Sequence, residues 1–357
     1  SQVADVRHTS ELEVMNGSEG EVLLVNGKVM PEIEVQNGKP LLARIINTST
    51  SRYWRLAIPG VELVKTGGQG GLIDEAIVES GTTMAVQMDM PMVSCTEDID
   101  CNPSTSRFDT CMEGMCGGMA VFDLGFDEGE VVLAPGERVN VVINPPASDF
   151  HLLWKDFDRG KDNMEMQMMT APCASDEDCK DYPGTICMLT KQGEAPKCGK
   201  MATGQYNERD PVPVVNFKVT GTASPIVTFG VGTPLAKSFR EDIWDDNVAV
   251  DHVWEGDNRI TLTGGMGVDG TSFEIDNVSW RIEDASTIPG HPSSARKGLK
   301  VNDVIQFEVH NDSEMNHPFH IHGFSFQVKH LMKMHHEEDW MEKYRYGHQE
   351  YIDTVDI

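Results

Sequence analysis

Short strand-like segments, separated by turn residues, run through most of this chain of 357 residues. Asn26-Gly27, Asn37-Gly38 and Pro135-Gly136 are strong turn signals between such segments. Long amphipathic helices are absent, and the best helical candidate is a short one near 332–344. Regular strand spacing without alternating helices predicts an all-β fold of the sandwich or barrel class. The clearest strands are predicted at 22–25, 32–35, 41–46, 53–58, 131–133 and 139–143.

The eight cysteines fall into two groups of four, and both groups open with the same pattern, C-x-x-D-x-D-C. An even number of cysteines in each short module favours two disulfides per module, and four cysteines allow three pairings. Two zinc sites are the alternative, but zinc sites usually space paired cysteines two to four residues apart, whereas five residues separate them here. Disulfides indicate an oxidising compartment, so a periplasmic or extracellular location is expected. The groups are Cys95, Cys101, Cys111 and Cys116, then Cys173, Cys179, Cys187 and Cys198.

Charge and hydropathy exclude several classes of partner. Lys and Arg number 29 against 57 Asp and Glu, giving a formal net charge of −28. Such a chain is repelled by nucleic acids and by anionic membranes, so neither is an expected partner. The longest apolar runs are too short for a membrane span.

Three histidines lie within six positions in the segment Asn316-His317-Pro318-Phe319-His320-Ile321-His322-Gly323. Because side chains alternate along a strand, His320 and His322 are expected on one face and Ile321 on the other. His317 is expected to project from the opposite side, so that one strand serves two different metal sites. Imidazole suits copper, zinc, iron and nickel, so the residue type alone does not choose the metal.

HPFHIHG followed by Phe324-Ser325-Phe326-Gln327-Val328 closely resembles the third-domain motif of multicopper oxidases of the laccase type. Segments 25–35, 44–58 and 133–143 are similar to that family's second cupredoxin domain, and 273–280 resembles the entry to its third. The resemblance implies two cupredoxin-like Greek-key β-sandwich domains with two disulfide-rich inserts. It assigns residues 21–220 to the second cupredoxin-like domain, with inserts near 95–116 and 173–198, and 225–357 to the third.

The resemblance also implies copper as cofactor: His317 as a ligand of type 1 copper, His320 of type 2 and His322 of type 3. The family's first-domain H-W-H-G and H-x-H motifs, and its H-C-H segment with the type 1 thiolate, have no counterpart here. A blue-copper site needs two histidines and a cysteine thiolate. We therefore expect a segment of a longer oxidase, with 1–20 as a linker from a missing N-terminal domain and an incomplete C-terminal end. The remaining ligands would come from a missing domain or another chain, and this chain alone would be inactive.

A complete enzyme of this family would take single electrons from a small reducing substrate, phenolic or a metal ion, and reduce oxygen to water. The alternative is a copper-free cupredoxin-like protein for binding or assembly. Methionine runs bear on the substrate, because thioether sulfur favours Cu(I). The alternative for them is irregular core packing. The runs are Met84, Met88, Met90 and Met92, then Met164, Met166, Met168 and Met169.

A polar segment after the histidine motif is a second candidate for the substrate edge, since its place in the family lies close to type 1 copper. Adjacent histidines point in different directions on most backbones, which argues against a shared metal. A solvated polar loop is the alternative reading. The segment contains His335, His336, Glu337, Glu338 and Asp339.

Overall fold

The computed structural model describes much of the chain. The described residues are 17, 19–90, 93–101, 106, 108–112, 114–160, 164–182, 185–188, 195–203, 208–222, 227–235, 243, 247–255, 259–267, 270–275, 278–279, 299–313, 315–335, 340–345 and 350–357. This described part contains no helix with the length and hydrophobicity that a bilayer crossing requires.

Twenty-five strands and two short 3₁₀ turns make up the regular structure of the described residues, which confirms the all-β prediction. The first twelve strands are β1 Glu32–Gln36, β2 Leu41–Ile46, β3 Trp54–Ala57, β4 Val64–Gly68, β5 Leu72–Val78, β6 Thr82–Asp89, β7 Thr110–Met112, β8 Met115–Asp123, β9 Val131–Leu133, β10 Arg138–Ile143, β11 Phe150–Lys155 and β12 Met164–Pro172. The others are β13 Ile186–Met188, β14 Lys197–Thr203, β15 Val212–Thr220, β16 His252–Trp254, β17 Ile260–Gly267, β18 Gly270–Ile275, β19 Val278–Ser279, β20 Ile305–Phe307, β21 Val309–Asp312, β22 Pro318–His320, β23 His330–His335, β24 Trp340–Arg345 and β25 Thr354–Asp356.

Two sheets enclose the main hydrophobic core. One has the strand order β1-β15-β11-β3-β9 and the other the order β2-β10-β4-β5. Along β2, Leu41, Ala43 and Ile45 pack against the core while the alternate residues face out, which is the period-two pattern of a strand buried on one side. The core itself contains Val35, Leu56, Leu63, Val131, Val141, Ile143, Trp154, Val214 and Phe217.

Turn chemistry in the sequence is reproduced in the backbone. Asn26 and Gly27 both have positive φ, and Val25 and Lys28 exchange two backbone hydrogen bonds around them. Positive φ at both central residues is the requirement of a type I′ turn, which Asn-Gly satisfies at low cost. Pro135-Gly136 forms the other predicted turn, with Gly136 at φ +90° and a hydrogen bond from Glu137 N to Ala134 O.

Two local predictions are wrong. The segment 22–25 forms only an isolated bridge, Val25 with Lys28, because the tight turn at Asn26-Gly27 returns the chain after one pair. The helix predicted near 332–344 is instead a β-hairpin, in which β23 pairs with β24 from His330↔Arg345 to His335↔Trp340. β24 also pairs with β6, so sheet hydrogen bonds replace helical ones in this segment.

All eight cysteines are joined in four disulfides, which confirms the disulfide prediction. Each module connects its first cysteine to its third and its second to its fourth. In each module three sulfurs lie within 4.8 Å of one another, a spacing that a zinc site would share. Disulfide sulfurs are not thiolates and do not bind zinc in that way, so the zinc alternative does not fit. The pairs are Cys95–Cys111, Cys101–Cys116, Cys173–Cys187 and Cys179–Cys198.

The second aspartate of the repeated motif has the same structural role in both modules. Asp100 accepts hydrogen bonds from the backbone N–H groups of Thr96 and Glu97, and Asp178 accepts them from Ala174 and Ser175. These backbone hydrogen bonds lower the pKa of Asp100 and of Asp178. The second aspartate of each motif therefore stabilises the loop between the first two cysteines.

Strands from distant parts of the chain share one sheet, with the order β23-β24-β6-β8-β7. β6, β7 and β8 surround the first disulfide module, whereas β23 and β24 follow the histidine motif. The predicted domain boundary near 220–224 lies between these two groups. The domain limits stay a prediction, but strands from both sides of the boundary are hydrogen-bonded in this sheet.

The disulfide pattern can be checked by proteolysis of the unreduced protein and mass spectrometry. We expect linked peptides for the first–third and second–fourth pairs of each module and no reaction of the denatured, unreduced protein with a thiol reagent. A first–second or first–fourth pair, or stoichiometric zinc in the purified protein, would contradict the structure.

Candidate metal centre

The histidine motif spans β22, with His320 in the strand and His317 and His322 on either side of it. The strand is held by its pairing with β25. His317 N donates to Ile357 O over 2.9 Å, and Ile357 N donates to His317 O over 3.0 Å. Pro318, which has no N–H to donate, occupies the first position of β22, where strands tolerate proline. Phe319 is buried and packs near Phe307 and Phe326, so the strand is fixed by its apolar side.

His320 and His322 come together on the exposed side. Their ring centroids are 4.8 Å apart, and the ring planes are inclined at 69°. Both residues are exposed. The prediction that they share a face agrees with this contact. Two adjacent, accessible imidazoles can each bind a metal ion, which is the arrangement that a cluster of neighbouring metals requires.

His317 has a different environment. It is half-buried, and burial, followed by the nearby positive charge of Arg159, lowers its pKa. A lowered pKa favours the neutral imidazole, the form that binds a metal ion. In the described part of the chain, the groups of three converging His, Cys, Asp or Glu ligands consist of disulfide cysteines only. The three histidines therefore do not form one shared site by themselves.

The hydrogen bond of His320 determines which nitrogen is left for a metal. His320 Nδ1 lies 2.8 Å from the carbonyl oxygen of Asp353 and 3.0 Å from Thr354 Oγ1. A carbonyl oxygen only accepts, so Nδ1 carries the hydrogen and Nε2 of the neutral ring keeps its lone pair. His320 therefore has a hydrogen-bond acceptor on its second ring nitrogen, and such acceptors orient metal-binding histidines.

Two residues that the sequence did not single out hold the partner of His320 in place. Gln69 Oε1 accepts from the backbone N–H groups of Asp353 and Thr354 over 3.0 and 2.7 Å, and Gln69 Nε2 donates to Thr354 O. Arg138 donates to both carboxylate oxygens of Asp353 over 2.7 and 2.6 Å, and its hydrogen bond is the main cause that lowers the pKa of Asp353.

The four glycines around Gln69 are the sequence signal that indicates a close approach of two backbones at this position. A Cβ added at Gly70 would lie 2.0 Å from Tyr351 O, and one at Gly67, where φ is +144°, would lie 2.0 Å from Gly71 O. The Gly67-Gly68-Gln69-Gly70-Gly71 segment therefore lets two backbones approach closely enough for the Gln69 amide to reach β25.

Two half-buried carboxyl groups lie behind the histidine strand. Asp356 accepts from Tyr53 Oη over 2.6 Å and from Asn316 Nδ2 over 2.7 Å. Burial raises the pKa of Asp356 to about 6 and that of Glu137 to about 8. After burial, the negative charge of Asp356 is the next cause that raises the pKa of Glu137 and the pKa of Tyr53.

The other candidate residues are placed only in part. Met88 is 3% exposed, which favours core packing at that position, and Met90 is half-buried. Met164, Met166, Met168 and Met169 lie in β12. His335 is the last residue of β23. Met92, His336, Glu337, Glu338 and Asp339 lie outside the described residues.

The known proteins that this chain resembles are multicopper oxidases. Residues 266–357 match the family model of multicopper oxidases. The structure is similar to a multicopper oxidase from Campylobacter jejuni, described as a metallo-oxidase, with a TM-score of 0.53 and 18% identity over 97% of this chain and 51% of that one. A laccase-like multicopper oxidase from Ochrobactrum sp. has a TM-score of 0.49 and 14% identity, over 98% of this chain and 53% of that one. A multicopper oxidase from Pseudomonas thermotolerans has a TM-score of 0.45 and 14% identity, over 96% of this chain and 54% of that one. No curated protein sequence matches significantly.

The resemblance inferred from the sequence is therefore confirmed for residues 266–357, which match the multicopper oxidase family model. Over nearly its whole length the chain has the cupredoxin-like fold of the Campylobacter jejuni protein, and the disulfide modules are inserts in that fold. The chain spans about half the length of the solved structures it matches. The family implies copper as the cofactor and an oxidoreductase role.

Replacing Gln69 by Leu removes the acceptor for the backbone N–H groups of Asp353 and Thr354, at the start of β25. Leaving such groups unsatisfied costs about 1–3 kcal/mol each, so we expect a loss of unfolding free energy in that range or above. Urea unfolding measures it. Gln87→Leu is the matched control, because the Gln87 amide donates to the Glu342 side chain, a group that water can also satisfy. Equal losses in the two variants would show that β25 does not depend on Gln69.

Glu137 makes stability depend on pH. Its pKa is about 8 in the folded protein against an ordinary 4.5, so the folded state binds more protons between these values. Unfolding free energy then decreases as pH rises from about 4.5 to 8, by at most about 1.4 kcal/mol per pH unit for one proton. Glu137→Gln keeps an acceptor for Ala134 N and should flatten the slope. Glu128→Gln, at an exposed position, should leave the slope as it is; the same slope in both variants would contradict the assignment.

Proposed function

We propose that this chain is a copper-binding segment of an oxidase that takes single electrons from a phenolic or metal-ion substrate and reduces oxygen to water. The observation that carries the proposal is the adjacent pair of His320 and His322, with the Nδ1 position of His320 already occupied by Asp353 O. That arrangement leaves the lone pair of His320 Nε2 for a metal ion. Support comes from the family match, which includes the whole motif.

The three histidines have separate roles in this proposal. His317 binds the type 1 copper, His320 the type 2 copper and His322 one of the type 3 coppers. Bound copper supplies the one-electron chemistry and the four-electron reduction of oxygen. The protein holds His320 through Asp353, Gln69 and Arg138, and keeps His317 neutral by burial.

The cysteine thiolate of a type 1 site is not supplied by these residues, because all eight cysteines of the sequence are in disulfides. We therefore propose that the thiolate and the remaining histidines come from residues other than these 357, on the same gene product or another chain. Four disulfides also support a periplasmic or extracellular location, since they persist in oxidising compartments. The charge of −28 favours a cationic reductant over an anionic one.

Substitution of the histidines in the full-length gene product tests these roles. We expect His317→Ala to remove the intense blue absorption and His320→Ala to lower the copper content while the blue band remains. His252→Ala is the control, because His252 lies on β16 and pairs with Asp303 over 2.8 Å. Retention of the blue band in His317→Ala would reject its assignment. Absence of copper from the native protein would favour the copper-free binding or assembly function.

The 357-residue chain expressed alone is expected to have no blue colour and no laccase activity, because it lacks a free thiolate. Visible absorption after copper reconstitution and oxidation of a phenolic substrate measure both properties. A blue, active 357-residue chain would show that the proposed ligand set is wrong.

A further inference from the structure

Three arginines surround one carboxylate close to the histidine strand. The carboxylate oxygens of Glu19 lie 3.5, 3.7 and 3.3 Å from guanidinium nitrogens of Arg52, Arg159 and Arg209. Arg209 is the accessible member, and Asp156 balances its charge by accepting two hydrogen bonds from its guanidinium. Glu19 is therefore left to balance Arg52 and Arg159, two cations that stay protonated at any ordinary pH.

These charges are shielded from water. The side chains of Arg52 and Arg159 are each 7% exposed, and that of Glu19 is 11% exposed. Solvent and salt screen buried charges much less than exposed ones, so their fields extend further through the protein. Two buried arginines against one buried glutamate leave an excess of positive charge at this place.

Arg159 connects this charged group to the residue that precedes His317. Its carbonyl oxygen accepts from Asn316 N over 2.8 Å, and its guanidinium carbon lies 5.6 Å from the centre of the Tyr53 ring. Tyr53 Oη and Asn316 Nδ2 both donate to Asp356, over 2.6 and 2.7 Å. Arg159, Tyr53, Asp356 and Asn316 thus form a closed ring of contacts, which fixes the backbone beside His317.

The charge of Arg159 also acts on the imidazole of His317. Burial is the main cause that lowers the pKa of His317, and the positive charge of Arg159 adds to it. A cation that disfavours a protonated imidazole disfavours any further positive charge at the same ring. It therefore also disfavours the higher oxidation state of a metal ion that the ring binds.

Stability alone does not account for a buried cation at this position. Arg52 already anchors the segment around Glu19, because its guanidinium donates to the carbonyl oxygens of Glu19 and Gly20. A buried ion pair adds little net stability, since the loss of hydration offsets the attraction of the charges. The contacts that distinguish Arg159 from Arg52 are those to Tyr53 and Asn316, beside the histidine strand.

We propose that Arg159 is a positioning residue of the metal centre, and that its buried charge, partly offset by Glu19, raises the reduction potential of the copper ion that His317 binds. One electron converts that ion from Cu(II) to Cu(I) and removes one positive charge from the site, so a neighbouring cation favours the reduced ion. This inference rests on the proposed function, because His317 must bind the type 1 copper. Glu19, near the other end of the sequence, then takes part in the same centre.

Redox titration of the type 1 copper in the full-length gene product, followed by its blue absorption, tests the proposal. At a given potential and one fixed pH, we expect Arg159→Met to lower the ratio of Cu(I) to Cu(II) by about tenfold. This is the effect of one charge about 10 Å away at an effective dielectric constant of about 20. Glu19→Gln should raise the same ratio, because it removes the offsetting negative charge. The wavelength of the blue band should stay the same in both variants, since the copper ligands are unchanged.

Opposite signs separate the effect of charge from an effect of packing. A purely structural contact would be loosened by both variants, and the potential would then shift in the same direction in both. Arg159→Lys keeps the charge and should stay close to the wild-type potential. Arg44→Met and Glu21→Gln are the matched controls, because they remove the same charges at exposed positions, where water screens them.

Shifts of the same sign in Arg159→Met and Glu19→Gln, or no shift in either, would overturn the proposal. An equal shift in Arg159→Lys and Arg159→Met would also overturn it. Should Arg159→Met fail to fold, Glu19→Gln and Arg159→Lys decide the outcome. Any of these contrary results in a protein that has the blue band rejects this inference alone. A wild-type protein without the blue band rejects the proposed function and this inference with it.

Discussion

The pairing of β22 with β25 is the contact on which the candidate centre depends. β22 contains only three residues, and Phe319 is its buried side chain, so the strand has little packing of its own. β25 is in turn held by Gln69 and Arg138, which belong to the sheet β2-β10-β4-β5 and its connection. The sheet β2-β10-β4-β5 thus orients a histidine that lies far later in the chain. The orientation of His320 therefore depends on residues that are distant in the sequence.

The chemistry of the candidate centre depends on how its imidazoles are oriented. His320 and His322 present imidazoles, which suit copper among other metals. Imidazoles need hydrogen-bond acceptors to fix their orientation, which His320 finds in Asp353 O and Thr354 Oγ1.

The disulfide modules explain how short, polar inserts can support the sheet β23-β24-β6-β8-β7. Two disulfides within each short module restrict its unfolded state, and Asp100 and Asp178 close each loop through backbone hydrogen bonds. The ordered module extends β6, β7 and β8 beyond the sandwich. β24 then adds to the free side of β6, which joins the insert to the segment that follows the histidine motif. The first module and the hairpin β23-β24 therefore share one sheet.

The sequence by itself determined what depends on local chemistry. Alternation in 41–46, the turns at Asn26-Gly27 and Pro135-Gly136, the two cysteine modules and the shared face of His320 and His322 all follow from neighbouring residues. Only the tertiary structure decided the rest, because long-range contacts have no local signal. The segment predicted as a helix near 332–344 contains strands β23 and β24, because β24 pairs with both β23 and β6. The disulfide pairing and the role of Gln69 likewise depend on which segments meet.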